Sequence, residues 1–599
     1  MAMRAASSWT DLAACLDEPA TNEPSRSPSV TSSEGSLLRV DTSAAAATPG
    51  ADAASAAPPL AKPAAAAAAD DHGDGDGDGD EDEDDEDASA LASPTDEDDD
   101  DGGDQGGGGP VLTGRVVRRT DPGYPDARIE YNSAFSIFPK VVVFCESTRD
   151  VSNAVRWAVA NRVPLRARCG RHSYEAYSSV DHGVVIDVSE LDKIRVSPDR
   201  TTAVIGAGAD LQDVYAKLFQ VGVTIPGGSC PSVGIAGLTL GGGFGLLGRY
   251  AGLTCDRLRS VRMVTATGAV VDASATEHPD LFWALRGGGG GNFGIVTSFT
   301  FAVVPIGNVA VYQVNWAWEH LPAVVRAWQA WAPATDSRLT SVLGLPARAQ
   351  GVIRSAGQFV GSLPELQRLV QPLLAAAPVT NVQFQAMSYI DAVNLFAGTE
   401  PGMETWAVHW HSDHTSFKNT SAYAYRPFGD AAIATIVAAL EQAPSADNLV
   451  QFDAYGGAVA AVPPRATAFF HRRPLFNLQY QAYWTSPSDA ERNERWVEAF
   501  RRSMLPYTRG GYINYIDRNV VRWERYYYGG NVARLRRVKR AWDPNNVFSF
   551  PQSIPPARLA AEADVDAEAD ADEDAEEEEE VSVDGDDEAS VSADGDHGA

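Results

Sequence analysis

The chain has 599 residues with 81 acidic and 48 basic side chains, a net charge of −33. The deficit sits at the two ends: residues 70–104 hold 20 acidic and no basic side chains, residues 559–599 hold 19 and none, and residues 105–558 are left at +9. The low overall pI therefore says little about the substrate of the folded part.

Several classes drop out at once. Five cysteines (Cys15, Cys145, Cys169, Cys230, Cys255) without repeated close spacing suggest neither a disulfide framework nor a zinc ribbon. No apolar run approaches membrane-spanning length, so no membrane partner is expected. Leu12–Cys15 is too short for a secretory h-region, and Asp11, Asp17 and Glu18 surround it, which also disfavours a transit peptide. A cytoplasmic location is the default expectation, and no nucleic-acid partner is expected.

Residues 1–109 and 557–599 are rich in Ala, Ser, Pro, Gly and acidic residues. Such segments bury too little apolar surface to offset chain entropy and are expected to be disordered. Plain solubilisation is the favoured reading of these tails, with capture of a basic partner as the alternative. Asp74, Asp76, Asp78, Gly79 and Asp85 mimic a calcium loop, but inside an Asp/Gly repeat without flanking helices this is coincidence of composition.

Between the tails, residues 110–131 read as an opening segment of mixed turns. A buried strand is expected over 141–145. A helix should start at 148, with Val151, Val155, Ala158 and Val159 inward. Strands follow over 164–168, 183–187 and 202–206, then an amphipathic helix over 210–219 with Leu211, Val214, Tyr215 and Leu218 inward. Two strands flank the Thr267-Gly268 turn, a short helix spans 280–285, and a strand over 295–304 closes this half. Beyond residue 307 the texture changes. Helices over 321–331 and 363–374 alternate with strands over 340–345, 352–359, 450–455 and 476–484, which suggests a sheet covered by helices on one face. A last strand is expected over 512–516 and a last helix over 531–541, stopped by Asp543-Pro544.

Two stretches carry most of the chemistry. In Arg166–Ser173 and again in Gly227–Gly237, which runs on to Gly245, a strand feeds a glycine-dense turn. Such turns let backbone N–H groups crowd one concave surface, which suits an anionic diphosphate. One turn ends in His172 and the other holds Cys230: backbone to grip a cofactor and two side chains to tether it. Either side chain alone would read as a surface histidine or an inert buried cysteine.

Separated motifs in this order resemble the berberine bridge enzyme-like branch of the FAD-binding oxidoreductases with a p-cresol methylhydroxylase-type domain. The carrying pieces are 168–175, 228–245, Arg286-Gly287-Gly288 with Asn292–Val296, Tyr512–Asp517, Tyr528–Asn531, Arg534-Leu535, 539–545 and Gln552-Ser553-Ile554. The resemblance covers about residues 111–556. It implies a two-domain α+β fold: a discontinuous FAD domain over 110–306 and 507–556, and between its parts a substrate domain over 307–506 whose antiparallel sheet roofs the flavin.

The resemblance also implies FAD held by two covalent bonds, from His172 and from Cys230. It places Arg168, Gly170, Arg171, Ser173, Gly228, Val233, Gly234, Gly237, Gly241, Gly242, Asn292, Ile295, Val296, Tyr512 and Asn514 around the cofactor. Arg171 departs from the glycine common at its position. If φ is positive there, arginine is strained, though its guanidinium could serve the diphosphate. By the same resemblance Tyr515 is the catalytic base, Asp453 its acidic partner and Gln479 an active-site amide; for the last two a purely structural role stays open. A free tyrosine titrates near pH 10, so Tyr515 needs help at neutral pH. On a strand, Tyr512 and Asn514 would face one side and Tyr515 the other. Val233, three residues after Cys230, matches the position that gates oxygen.

Two other motifs are set aside. His409-Trp410-His411-Ser412-Asp413-His414 fits a zinc-hydrolase signature, but the surrounding fold and later ligands are missing, so no metal is expected. The glycines of 286–294 lack the single βαβ context of a nicotinamide site. The expected reaction is oxidation of a small alcohol, a sugar or secondary metabolite, with dioxygen as acceptor and hydrogen peroxide as product. The rivals are a dehydrogenase of the same fold that avoids oxygen, and a degenerate flavin fold acting as a binding protein, against which intact His172, Cys230 and Tyr515 speak.

Overall fold

The computed structural model describes residues 109–398 and 416–558. The acidic ends, save their innermost few residues, and the His409–His414 motif lie outside the described residues, so the expectations placed on them find no counterpart here.

The first half builds two small sheets. Strands β1 (Arg115–Arg118), β2 (Val141–Phe144), β3 (Leu165–Arg168) and β4 (Val184–Asp187) pair in the order β1-β2-β4-β3, with β2, β4 and β3 parallel. The Val-rich β2 is buried throughout, as a strand covered on both faces must be. The helix Thr148–Asn161 connects β2 to β3 and opens with a capping box between Ser147 and Asp150. It buries Val151, Ala154, Val155 and Ala158. Val159 does not join them: at 45% exposure it lies outside the buried stripe, its place taken by Ala154.

The second sheet is antiparallel. It orders β5 (Ile194–Val196), β6 (Thr202–Gly206), β10 (Ile295–Ala302), β8 (Leu258–Val264) and β9 (Val270–Ser274). The helix Leu211–Phe219 is capped by the Asp210 carboxylate, which accepts from the Asp213 amide, and it buries the four residues expected. A two-stranded ribbon joins β7 (Val223–Thr224) to β11 (Val304–Pro305). One continuous apolar core underlies both sheets.

Residues 308–484 contribute a seven-stranded antiparallel sheet. Its strands are β12 (Asn308–Ala317), β13 (Leu339–Pro346), β14 (Val352–Phe359), β15 (Val379–Ser388), β16 (Ser416–Ala424), β17 (Leu449–Ala454) and β18 (Phe476–Trp484), in the order β15-β12-β14-β13-β17-β18-β16. Strand alternation divides its faces. Along β18, Phe476, Leu478, Tyr480 and Ala482 enter an apolar core with residues of the helices Leu321–Trp331, Asp430–Glu441 and Ala490–Met504. Asn477, Gln479, Gln481 and Tyr483 take the opposite face.

Two expectations need correction. The stretch 512–516 is not a strand but a 3₁₀ turn, Ile513–Tyr515, closed by the Tyr515 amide donating to the Tyr512 carbonyl at 2.8 Å. Its aromatic and β-branched composition suits a strand, but the Tyr512 amide donates to the Ser421 hydroxyl of the adjacent β16 rather than to a strand carbonyl. The helix expected over 363–374 is two, Leu363–Leu369 and Gln371–Leu374.

Candidate active site

The two glycine turns meet back to back. A Cβ on Gly170 would sit 2.3 Å from the Gly234 amide nitrogen, and one on Gly234 would sit 2.1 Å from Cys169 Sγ. Only glycine permits this approach. The contact carries His172 and Cys230 toward one residue that sequence reasoning missed, Ser232. His172 Nε2 lies 2.9 Å from Ser232 Oγ, and Cys230 Sγ lies 4.0 Å from the same oxygen. Tyr131 stacks on the His172 ring at 3.9 Å. Burial raises the Cys230 thiol pKa, and its contacts with Ser232 oppose the rise.

The base of the first turn is pinned from below. Arg168 is buried and paired with Asp187 at 2.6 Å and Glu130 at 3.2 Å, and it also donates to the Ala127 carbonyl. Its guanidinium thus fixes the end of β3. Arg171 has φ of +64°, the strained region anticipated for a non-glycine, and its guanidinium donates to the carbonyls of Asp126 and Ile129. Ser173 Oγ accepts from the Tyr177 amide.

Open space lies on the concave side. A Cβ on Gly237 would meet nothing within 4 Å, and one on Gly290 would meet only Gly237 Cα, at 3.7 Å. Gly237 and Gly290 thus face each other with room for about one methyl between them and no side chain there. The gap is framed by held elements. Tyr512 Oη accepts from the Gly243 amide at 2.9 Å and from Asn514 Nδ2 at 2.8 Å, while Asn514 Nδ2 also donates to the Leu238 carbonyl. A Cβ on Gly241 would strike Asn514 Oδ1 at 2.0 Å, and one on Gly242, whose φ is +121°, would strike Phe469. Asn292 donates to the Gly288 carbonyl and accepts from the Ile554 amide, and its own carbonyl accepts from the buried Lys539 ammonium. Ile295 and Val296 are buried in β10 behind this loop. Gly228 has only ordinary contacts, and Val233 packs partly buried against the core. Glycine backbone clear of side chains, with His172 and Cys230 brought together at Ser232, is a donor set that suits a dinucleotide cofactor.

The polar face of the seven-stranded sheet supplies the other wall. Gln479 Nε2 donates to Tyr174 Oη at 2.6 Å, and the Tyr174 and Tyr515 rings stack at 5.4 Å with 4° between planes. Tyr174 follows Ser173 directly, so the first turn, the 3₁₀ turn and β18 converge on one spot. A relay continues through Gln481 and Tyr483: Gln481 Nε2 donates to Gln479 Oε1, and Tyr483 Oη donates to Gln481 Oε1. Burial, then the charge of Asp453, holds the Tyr515 phenol well above its ordinary value. Asp453 accepts from Gln451 Nε2 at 2.8 Å and from Asn477 Nδ2 at 3.4 Å, and burial still lifts it to about 6. Behind the stack, Lys418 pairs with both Glu175 and Asp517, the latter at 2.6 Å, tying the segments that bear Tyr174 and Tyr515. Tyr174 was within reach of the sequence as the neighbour of Ser173; Lys418 had no local signal.

No group of three or more metal-ligating side chains occurs among the described residues, and no helix there is long and apolar enough to cross a membrane.

Comparisons with known proteins identify the family. Residues 139–274 match the FAD binding domain family, and residues 511–555 match the berberine and berberine-like family. The chain is 45% identical to the FAD-linked oxidoreductase YgaK of Bacillus subtilis over 75% of its own length and 98% of that protein's. It is 31% identical to xylooligosaccharide oxidase of Thermothelomyces thermophilus, with 72% and 90% covered. The solved structure of Phl p 4, a grass pollen allergen with glucose dehydrogenase activity, superposes with a TM-score of 0.68 at 26% identity, covering 74% of this chain and 97% of that one. An isoleucine-to-valine variant of that allergen is described as a glucose oxidase. The chain belongs to the berberine bridge enzyme-like family of FAD-linked oxidoreductases.

Proposed function

We propose that the protein oxidises a small-molecule alcohol, most simply a sugar, at covalently held FAD and passes the electrons to dioxygen. Residues 110–306 with 507–556 form the cofactor half, and residues 307–506 form the substrate half. The observation that carries the reading is the convergence at Tyr515. Its ring stacks on Tyr174 of the His172-bearing segment, and Tyr174 in turn receives Gln479 from the polar sheet face.

The glycine walls, with Gly170, Gly234, Gly237, Gly241 and Gly242, would hold the cofactor, and His172 and Cys230 would tether it. When bound, FAD supplies the two-electron acceptor that takes hydride from the carbinol carbon and yields hydrogen peroxide with dioxygen. The chain's own part is proton management and positioning. Tyr515 accepts the substrate hydroxyl proton as its own phenolic proton passes toward a neighbouring base. A buried phenol is a poor base alone, so a nearby group that is ionised at neutral pH must share that proton, and Asp453, titrating at about 6, is suited to do so. Gln479 orients the hydroxyl through its amide. Ser232, between the two tethering residues, fixes the His172 ring. Val233 leaves room for oxygen. In Phl p 4 the loss of one methylene accompanies the change from dehydrogenase to oxidase, which supports an oxidase here.

The test begins with acid precipitation of the purified protein. Yellow colour should stay with the pellet, and a sugar panel should then produce peroxide. Flavin released wholly into the supernatant would remove the covalent link. A wild type that accepts electrons from sugars yet stays reduced for minutes in air-saturated buffer would establish a dehydrogenase instead.

A further inference from the structure

A second recess opens on the same sheet face as Asp453, farther from Tyr515. It is a shallow, solvent-open cleft lined by Val342, Gly344, Arg354, Asp447, Leu449 and Gln451, among others. Register fixes its place. Arg354 pairs across the ladder with Gly344, Gly344 with Gln451, and Gln451 with Gln479. These four positions form one row perpendicular to the strands. At the usual strand spacing, Arg354 stands about 14 Å from Gln479, and Gln451 lies between them.

Three observations mark the cleft as built for a ligand. Gly344 has no side chain, and a Cβ there would meet only the Arg354 carbonyl at an ordinary 3.7 Å. The glycine is thus not needed for packing, and its effect is to leave the floor open. Arg354 is partly buried with an Nε that has no hydrogen-bond partner, and no carboxylate among the described residues pairs with it. Burial alone lowers its pKa, with no neighbouring charge acting to raise it. Its ladder neighbour Asn315 likewise buries an Oδ1 with no partner. Asp447 lines the cleft but makes no ion pair with Arg354. A partly desolvated guanidinium gains from a partner, and its planar fork matches a carboxylate.

We propose that this cleft is a distal subsite in which Arg354 receives a carboxylate, so that the protein favours elongated substrates with an acidic group about 10–15 Å from the oxidised carbon. Gln451 bridges the two ends, since it also donates to Asp453. Asp447 disfavours ligands with charge spread over the whole cleft. The proposal rests on the reading that Tyr515 marks the reacting end.

The probes are cellobiose and its counterpart with a glucuronosyl group at the non-reducing end. Each is titrated calorimetrically into full-length holoprotein reduced with dithionite under anaerobic conditions, so that binding is read without turnover. The acidic disaccharide should bind about tenfold or more tightly than cellobiose at low salt. Arg354→Gln should abolish the preference, and Gly344→Leu, which fills the floor without positive φ, should abolish it independently. Equal affinity, no measurable binding of the acid, or a preference that survives Arg354→Gln overturns the proposal. Peroxide release in air is then scored separately. An Arg354-dependent preference without any sugar oxidation would leave the subsite standing and remove the sugar-oxidase reading.

Discussion

The two walls of the site are made by opposite means. The glycine turns create it by omission: Gly170, Gly234, Gly237 and Gly290 bring backbone to backbone and leave a gap that any Cβ would narrow. The sheet face creates it by projection: Asn477, Gln479, Gln481, Gln451 and Asp453 stand out from strands whose alternate residues are fixed in an apolar core. The first wall has little freedom to vary at Gly170, Gly234, Gly241 and Gly242, where an added atom would strike backbone or a neighbouring side chain. The second can change side chains while the core beneath holds the strands. Specificity is therefore expected to reside on the sheet, and cofactor retention in the turns.

The largest effect should come from breaking the first wall. Gly170→Ala places its methyl against the Gly234 backbone, and a loss of about 3 kcal/mol or more is expected. Thermal melts and flavin content of the purified variant check this; a fully loaded protein with an unchanged melting temperature would mean that the turns do not touch. Tyr515→Phe comes next. Ring packing on Tyr174 is kept and only the hydroxyl is lost, so the reductive rate should fall about 10²–10⁴-fold with flavin retained. A stopped-flow rate within a few-fold of wild type would pass the role to another group.

Asp453→Asn sharpens the contrast, because it should lower activity and raise stability together. The folded pKa of about 6 lies above the ordinary 3.8. The folded state therefore holds the proton more tightly, and ionisation costs stability as pH rises from about 4 through 6. The penalty is absent below both values and complete above both, on the order of 3 kcal/mol for this buried group. The amide variant should match wild type in stability near pH 3 and exceed it near pH 8. The acid limb near pH 6 in the reductive rate should disappear. Denaturant melts at the two pH values decide it: no gain at pH 8 would place Asp453 in a solvated setting. The smallest effect is expected at Val233→Leu. Reoxidation by air should slow several-fold while reduction by substrate is unchanged, and a variant reoxidised at the wild-type rate would move oxygen control elsewhere.

The same contrast explains what could be read in advance. The glycine turns announce themselves locally, because His172 and Cys230 each sit inside a run of residues that only a tight approach requires. The helix stripe over 211–219 and strands such as β14 and β18 follow from periodicity. β16 escaped notice because Ser416–Ala424 is short of apolar residues. Lys418 is turned to Asp517 and Asn419 to Tyr483, so the alternation expected of a half-buried strand is blurred. The turn at Tyr512 was misjudged for a converse reason: its residues suit a strand, but pairing is a property of neighbours. Ser232 and Lys418 gain meaning only from residues 60 and 243 positions away.

The C-terminal stretch sets an order of events during synthesis. Asn292, in the glycine loop, is held by Lys539 and by the Ile554 amide, and the Gly243 amide is held by Tyr512. The half proposed to hold the cofactor therefore needs the last stretch of chain, while the seven-stranded sheet, encoded between its two parts, has all its strands by residue 484. Flavin loading should accordingly come late, and a released chain truncated before residue 512 is expected to carry an assembled seven-stranded sheet and no flavin.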